Sequence, residues 1–234
     1  MNNLDYEDYL KTLNKISRAI TSDLYLEDIL KLIVTLTANV IKAKVCNVWL
    51  IDEKKQEFNI KATQSMHQEY LNKKTIKLNE GIVGLVAIEK KPKIIFDVLK
   101  EEQYKEKKLA RKEGLVSMAS IPMMVKDKVI GVLNVYTNKP YEFAKAEVTL
   151  LSTISNQAAV AIEKTELIIK TKIIQEELDT RKKIERAKGI LMEESNINES
   201  EAFALIRKSS MDKRISMKEI AEAIILSYEI RQIK

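Results

Sequence analysis

Apolar residues recur at steps of three and four through the first forty positions, at Leu10, Leu13, Ile16 and Ile20 and again at Ile29, Leu32, Ile33 and Leu36. That spacing predicts two amphipathic helices meeting near Thr21 to Leu26. The period then shortens. β-Branched and aromatic residues dominate Val45 to Ile51 and Phe58 to Thr63, on either side of the polar stretch Asp52 to Glu57, which predicts two antiparallel strands. Gly81 and Gly84 frame the start of a short helix within Asn79 to Ile88. Pro92 leads a strand over Lys93 to Phe96, with Asp97 at its end. Lys100 to Glu113 reads as a charged, exposed helix closed by Gly114. Ser117 to Val125 and Val129 to Tyr136 flank Lys126-Asp127-Lys128 as a hairpin; within it Gly131 permits a close backbone approach or a bulge, and Pro122 belongs at an edge or bend.

From Ala144 onward a helical pattern runs to about Glu194, and no Pro or Gly interrupts Ala144 to Lys188. A helix of that length needs external support, so a second chain is expected beside it. Leu151, Ile154, Ala158, Ala161, Ile162, Thr165, Ile168 and Ile169 share one side, and the heptad register becomes imperfect beyond Ile173 and Ile174. This is a stiff helical connector rather than a flexible linker.

The helix ends in Arg181 to Met192, which carries five basic residues and one acid, Glu185. At about 100° per residue, Ile184, Ala187, Ile190 and Leu191 face one side and Lys182 and Arg186 the other, with Arg181 and Lys188 on a flank. Two capping boxes follow. Asn198 with Glu201 opens a helix whose buried side is expected to be Ala202, Phe203, Leu205, Ile206 and Ser209. Ser216 with Glu219 opens another, bearing Ile220, Ala221, Ala223, Ile224 and Ser227. Acids Glu193, Glu194, Glu199 and Glu201 gather at one connection. Arg207, Lys208, Lys213, Arg214 and Lys218 gather at the other, a seat for phosphates.

Composition narrows the alternatives. The 234 residues are 45% hydrophobic and 32% charged, with a net charge of +6, enough for one domain of roughly 150 residues and a smaller one. One cysteine, Cys46, rules out an internal disulfide and suits a reducing cytoplasm; buried mid-strand, it reads as a small hydrophobe. The acidic start, Met1 to Tyr9, resembles neither a signal nor a transit peptide, and no run of about 18 apolar residues occurs. A cytoplasmic, soluble protein without membrane contact is expected. His67 stands alone and reads as a surface or turn residue. With no nucleophile and base pair, no phosphate-cradling glycine loop and no metal-spaced His/Cys set, the chain is expected not to be an enzyme.

The helix pair, strand pair, Gly81-Ile-Val-Gly84, Asp97, Ser120-Ile-Pro122, Ile130-Gly-Val-Leu133 and Gln157-Ala-Ala-Val-Ala-Ile162 together resemble the GAF family over residues 10–165. The resemblance implies an α+β fold, a central antiparallel sheet with flanking helices, and a pocket for a small-molecule ligand that it leaves unnamed. Asn138, Lys139, Phe143 and Glu147 look like four members of the motif of cyclic-nucleotide-binding relatives, but Ala146 stands where an Asp belongs, which weighs against that reading and in favour of a structural, helix-anchoring role. GAF-type methionine sulfoxide reductases use several cysteines, where this chain has one.

The rear segment, by Ile184-Glu-Arg-Ala-Lys-Gly-Ile-Leu-Met192, Glu201-Ala-Phe203, Met211 with Arg214 and the last helix with Ala221, resembles the ANTAR family of RNA-binding antiterminators. That implies an all-α three-helix bundle at residues 177–230, joined to the front domain by a coiled-coil connector at 166–176. As a homodimer it would bind an RNA with two hairpins and prevent formation of a terminator. The expected RNA-binding residues are Arg181, Lys182, Arg186, Lys188, Gly189, Arg207, Lys208, Lys213, Arg214 and Lys218. Phe203 is expected in the core and Tyr228 either inside or out, so cationic contacts should dominate. The alternative reading is a GAF-based dimeric adaptor that binds a small ligand and protein partners without RNA.

Overall fold

A computed structural model describes residues 3–64 and 75–233, so His67 lies outside the described residues. The chain forms two compact units, residues 1–165 and 166–234. In the first, α1 (Asn3–Ile20) and α2 (Leu26–Ile41) precede the strands β1 (Val45–Asp52) and β2 (Glu57–Thr63). Then come β3 (Ile76–Lys77), α3 (Gly81–Glu89), β4 (Lys93–Ile95), α4 (Lys107–Glu113), β5 (Met118–Val125) and β6 (Lys128–Tyr136). α5 (Lys145–Ser195) begins in this unit and continues into the second, where α6 (Glu199–Lys213) and α7 (Met217–Gln232) follow.

The strands make one antiparallel sheet ordered β3-β2-β1-β6-β5-β4. Alternation along β1 divides the core between its faces. Cys46 and Val48 join α2 residues such as Ile33 and Val34, and Leu151, Ile154 and Ala158 of α5, on one side. Val45 and Trp49 join Ile82, Val83 and Val86 of α3 on the other. Cys46 is fully buried, and loss of hydration raises its thiol pKa well above the ordinary range. It is packing rather than chemistry.

Gly131 lies opposite Leu50 in the β1–β6 ladder and opposite Met123 beside a register shift in β5. A Cβ there would come within 2.3 Å of the Trp49 carbonyl oxygen, so only glycine lets these strands close. Pro122 pairs with Val132, while β4 pairs only with Met118, Ala119 and Ser120. The proline thus sits beyond the end of β4, where its missing N–H costs no ladder bond on that side.

One expected helix is shorter than the sequence implies. Lys100 to Glu106 is not helical; α4 starts only at Lys107 and stops at Gly114, which adopts the left-handed conformation with φ 63°. The Asp97 side chain accepts the Leu99 N–H, and its carbonyl accepts those of Lys100 and Glu101. This local turn diverts the chain so that Tyr104 is buried beside Val98, Ala110 and Leu115.

The second unit has a much smaller core. Ala187, Ile206, Ile220 and Ala221 are buried at its centre, with Ile184, Leu191, Met217, Ile224 and Ile225 against them. Both expected capping boxes are present, Asn198 with Glu201 and Ser216 with Glu219. Lys188 departs from expectation. Its residue is only 7% exposed, and its Nζ lies 2.8 Å from Glu185 and 2.7 Å from Glu199. Hydrogen bonds to Glu185 and Glu199 raise its pKa, and the same contact lowers that of Glu199. Lys188 therefore ties the start of α6 to α5.

Two predictions follow from this packing. Gly131→Ala should destabilise the first unit by about 1–3 kcal/mol through overpacking, read as a lower denaturation midpoint; an unchanged midpoint contradicts the close approach to Trp49. For the helical unit, the Glu199 contribution exists above its ordinary pKa of 4.5 and is lost as pH falls through the lowered folded value. The Lys188 contribution exists below 10.5 and is lost as pH rises through the raised one. Melting should therefore hold a plateau between those limits, and Lys188→Met should lower the plateau and shrink the alkaline arm. Melting curves that coincide with the parent across pH would refute the ion-pair tie.

Candidate functional site

The helical unit carries its cations on three elements. On α5, Arg181 and Lys182 are exposed, and Arg186 points outward with its guanidinium 2.7 Å from Glu229 of α7. Gly189 is exposed one turn further on. On α6, Arg207, Lys208 and Lys213 are exposed and make no ion pair among the described residues. Arg214 is likewise exposed and ends the helix in the left-handed conformation with φ 56°. Lys218, at the start of α7, is half-buried and 3.7 Å from Asp179. Of the ten expected residues only Lys188 is withdrawn from the surface: from the flank of its helix its head reaches Glu199 of α6 rather than a partner outside the chain.

Two further basic residues matter to this arrangement. Lys183 reaches Asp179 at 2.8 Å and Glu222 at 2.9 Å, and Arg231 reaches Glu194 at 3.0 Å. With Arg186–Glu229 these pairs link α5 to α7 in ascending order, 183 with 222, 186 with 229 and 194 with 231. The two helices run the same way, and α6 returns between them. Hydrogen bonds from Lys183 and Lys218 lower the Asp179 pKa, and the bonds to Asp179 and Glu222 raise that of Lys183.

Cations left over from this pairing concentrate at the α6–α7 connection, where Lys213 and Arg214 stand beside Arg207 and Lys208 one or two turns back. The acids Glu193, Glu199 and Glu201 are exposed at the opposite, α5–α6 connection. A polyanion approaching the unit meets an attractive end and a repulsive one.

Phe203 corrects a second expectation. It is 41% exposed rather than in the core, and Leu205 is exposed as well; α6 buries only Ala202 and Ile206. These meet a small core of Ala187, Ile220 and Ala221, flanked by Ile184, Leu191, Met217, Ile224 and Ile225. Phe203 instead lines a groove of about 630 Å³ with Ile173, Thr180, Arg181, Ile184 and Lys218. Upstream, Leu167, Ile168, Ile169, Ile173, Ile174 and Leu178 of α5 are exposed. By contrast Leu151, Ile154, Ala158, Ala161 and Ile162, expected on the same seam, are buried within the first unit's own core.

In the first unit, strand register aligns Asn47, Asn134 and Ser120 across β1, β6 and β5, all fully buried. Ser120 Oγ donates to Asn134 Oδ1 at 2.7 Å. Neither side-chain polar atom of Asn47, nor Nδ2 of Asn134, has a partner, a cost that a bound water or ligand would relieve. Of the four motif-like residues, Asn138 and Lys139 are exposed, while Phe143 packs edge-on to Tyr141 at 5.0 Å. Glu147 accepts the Tyr141 hydroxyl at 2.6 Å and the Ala144 N–H at 2.8 Å. These contacts anchor the start of α5. No helix among the described residues is long and apolar enough to cross a membrane.

Comparison with known proteins agrees with this division. Residues 24–163 match the GAF domain and residues 173–225 the ANTAR domain. The transcriptional regulatory protein PdtaR of Mycobacterium tuberculosis is 42% identical over 52 residues, which are 22% of this chain and 25% of that protein. The chain thus spans about a quarter of the length of this relative. The crystal structure of the GAF domain from an Acinetobacter phosphoenolpyruvate-protein phosphotransferase superposes with a TM-score of 0.61 at 28% identity, covering 72% of this chain and 98% of that one. Free methionine-R-sulfoxide reductase from Neisseria meningitidis gives the same TM-score at 14% identity, covering 72% and 95%, and shares the fold alone. A sheet divided between two cores, followed by a three-helix unit with a polarised surface, is thereby placed: the chain belongs to the GAF domain family and carries an ANTAR domain behind it.

Proposed function

We propose that this chain is a signal-responsive, non-enzymatic regulator that binds RNA and causes transcription antitermination. Residues 10–165 sense the signal, 166–176 connect, and 177–230 grip a two-hairpin leader RNA from each half of a homodimer in the cytoplasm. The observation that carries this reading is the coincidence of the ANTAR match at 173–225 with a three-helix unit whose exposed cations gather at one connection. Arg207, Lys208, Lys213 and Arg214 supply phosphate contacts there. Arg181, Lys182, Arg186 and Lys218 extend the contact along α5 and α7. Lys188 acts indirectly, by holding α6 against α5.

Leu167 and Ile174 in the connector and Leu178 just beyond it, spaced seven and four apart and exposed, are the residues through which two copies would pair. Pairing presents two RNA sites at once and supplies avidity when the transcript offers two correctly spaced hairpins. In the front unit, the unsatisfied amides of Asn47 and Asn134 favour a polar small molecule as the input. Such a ligand acts only through its different affinity for two helix arrangements, and a tenfold change in RNA affinity takes about 1.4 kcal/mol.

Titration of a two-hairpin RNA tests the reading. Replacing Arg207 and Lys208 together with Ala should weaken binding and flatten the dependence of log affinity on log salt, by about 0.7–0.9 per lost phosphate contact. Thermal stability should stay unchanged, because exposed charges contribute little to folding. Binding that is absent at low salt, or indifferent to the hairpin loops, would favour a dimeric adaptor acting through protein partners.

A further inference from the structure

In the first unit, three segments enclose a cleft of about 540 Å³, within the roughly 300–1,000 Å³ typical of small-molecule sites. Asp8, Thr12 and Lys15 wall it from α1, where steps of three and four put them on one face. Lys42 comes from the end of α2, and Tyr141 and Glu147 come from the approach to α5 and its first turn. The cleft lies on the side of the sheet that α2 and α5 cover. Asn47 and its ladder partner Asn134 alternate with Cys46 and Leu133, which belong to the core on that side, so their amides face the other one. The two places are separate.

Two side chains of the wall are nearly buried. Glu147 is 7% exposed and Thr12 is 8% exposed. The Glu147 carboxylate accepts from the Tyr141 hydroxyl and the Ala144 N–H, both neutral donors, and it has no ion pair among the described residues. A carboxylate offers about four acceptor positions, so about two are unused. Buried charge is ordinarily matched by an opposite one, and here the chain brings none. α2 also ends at the cleft, and a helix C-terminus adds partial negative charge. The Thr12 hydroxyl makes no hydrogen bond among the described residues.

The rim holds charge of both signs. Lys11 is engaged by Glu7 at 2.7 Å, but Lys15 and Lys42 are exposed and make no ion pair among the described residues. Asp8 and Glu142 line it too, and both are exposed. A purely anionic ligand such as a phosphate would be set against Glu147, Asp8 and Glu142, and a purely cationic one against the lysines. A compact molecule with one charge of each sign is matched at both ends.

We propose that this cleft binds a free amino acid, with its ammonium group on the Glu147 carboxylate, its carboxylate on Lys15 and Lys42, and a hydrogen bond to Thr12. The site belongs to the first unit alone and stands whether or not the second unit binds RNA.

The test melts the full chain at constant ionic strength with each of the common amino acids in turn, and with propionate and propylamine, which each carry one of the two charges. At least one amino acid should raise the melting temperature by several degrees, and neither control should. Replacing Lys15 and Lys42 together with Ala should leave the unliganded melting temperature unchanged, because exposed charges contribute little to folding. The dissociation constant of that amino acid should rise about tenfold, or ~1.4 kcal/mol. Glu147→Gln keeps an acceptor for the Ala144 N–H but removes the charge, and it should abolish the shift; if that variant fails to fold, the lysine pair decides. No shift with any amino acid would overturn the proposal. So would an equal shift with propionate or propylamine, or equal affinity in the parent and the lysine variant. A shift that survives in the lysine variant and disappears in Asn47→Ala would place the ligand on the other face of the sheet and overturn it as well.

Discussion

One uninterrupted helix, α5, is the constraint on which both units depend. Its first turns complete the core on one face of the sheet, where Leu151, Ile154 and Ala158 meet α2, and its last turns supply Ala187 and Ile190 to the helical unit. Between those segments its apolar residues face solvent: Leu167, Ile174 and Leu178. A helix in water is held mainly by burial of an apolar face, and here the middle has none within the chain. The Glu147 carboxylate fixes the start by accepting from Tyr141 and Ala144.

The helical unit shows how little apolar burial a small bundle needs when its backbones lie close. Ala187, Ala202 and Ala221 are fully buried, and each presents a single methyl group to its neighbours. Phe203 and Leu205 stay outside while Ile206, on the same helix, is buried with Ile220. Charge makes up part of the difference. Lys188 holds Glu199, Lys183 holds Glu222, and two capping boxes satisfy the first amides of α6 and α7. The basic residues thus fall into two populations. Some fasten the three helices, and others, Arg181 and Lys182 on α5 and Arg207, Lys208, Lys213 and Arg214 near the α6–α7 connection, are exposed and make no ion pair among the described residues.

That partition explains how much of the site was legible. Signals confined to one element were readable in the chain: the Asn198 and Ser216 caps, the Gly114 stop, the strand pair at Val45 and Phe58, and the unbroken run from Ala144. Each depends on residues within a few positions of one another, so local backbone chemistry is sufficient. The failures share a different cause. Lys188 sits on a flank of its helix wheel, and only the arrival of Glu199 from another helix decides that it is buried. Phe203 has the hydrophobicity of a core residue, yet α6 turns Ala202 and Ile206 inward and leaves it lining a surface groove. Lys100 to Glu106 has helical composition, but Asp97 closes a turn there because Tyr104 must reach the core.

The sequence by itself determined the elements, their caps and breaks, the division into a mixed sheet unit and a helical one, and the pool of cations from which an RNA site could be drawn. Tertiary structure alone decided which cations are spent on internal pairs and which apolar residues are left on the surface. Periodicity reports the direction in which a side chain leaves its own backbone. Whether another backbone stands in that direction, how near, and with what charge, depends on contacts between residues far apart in the chain.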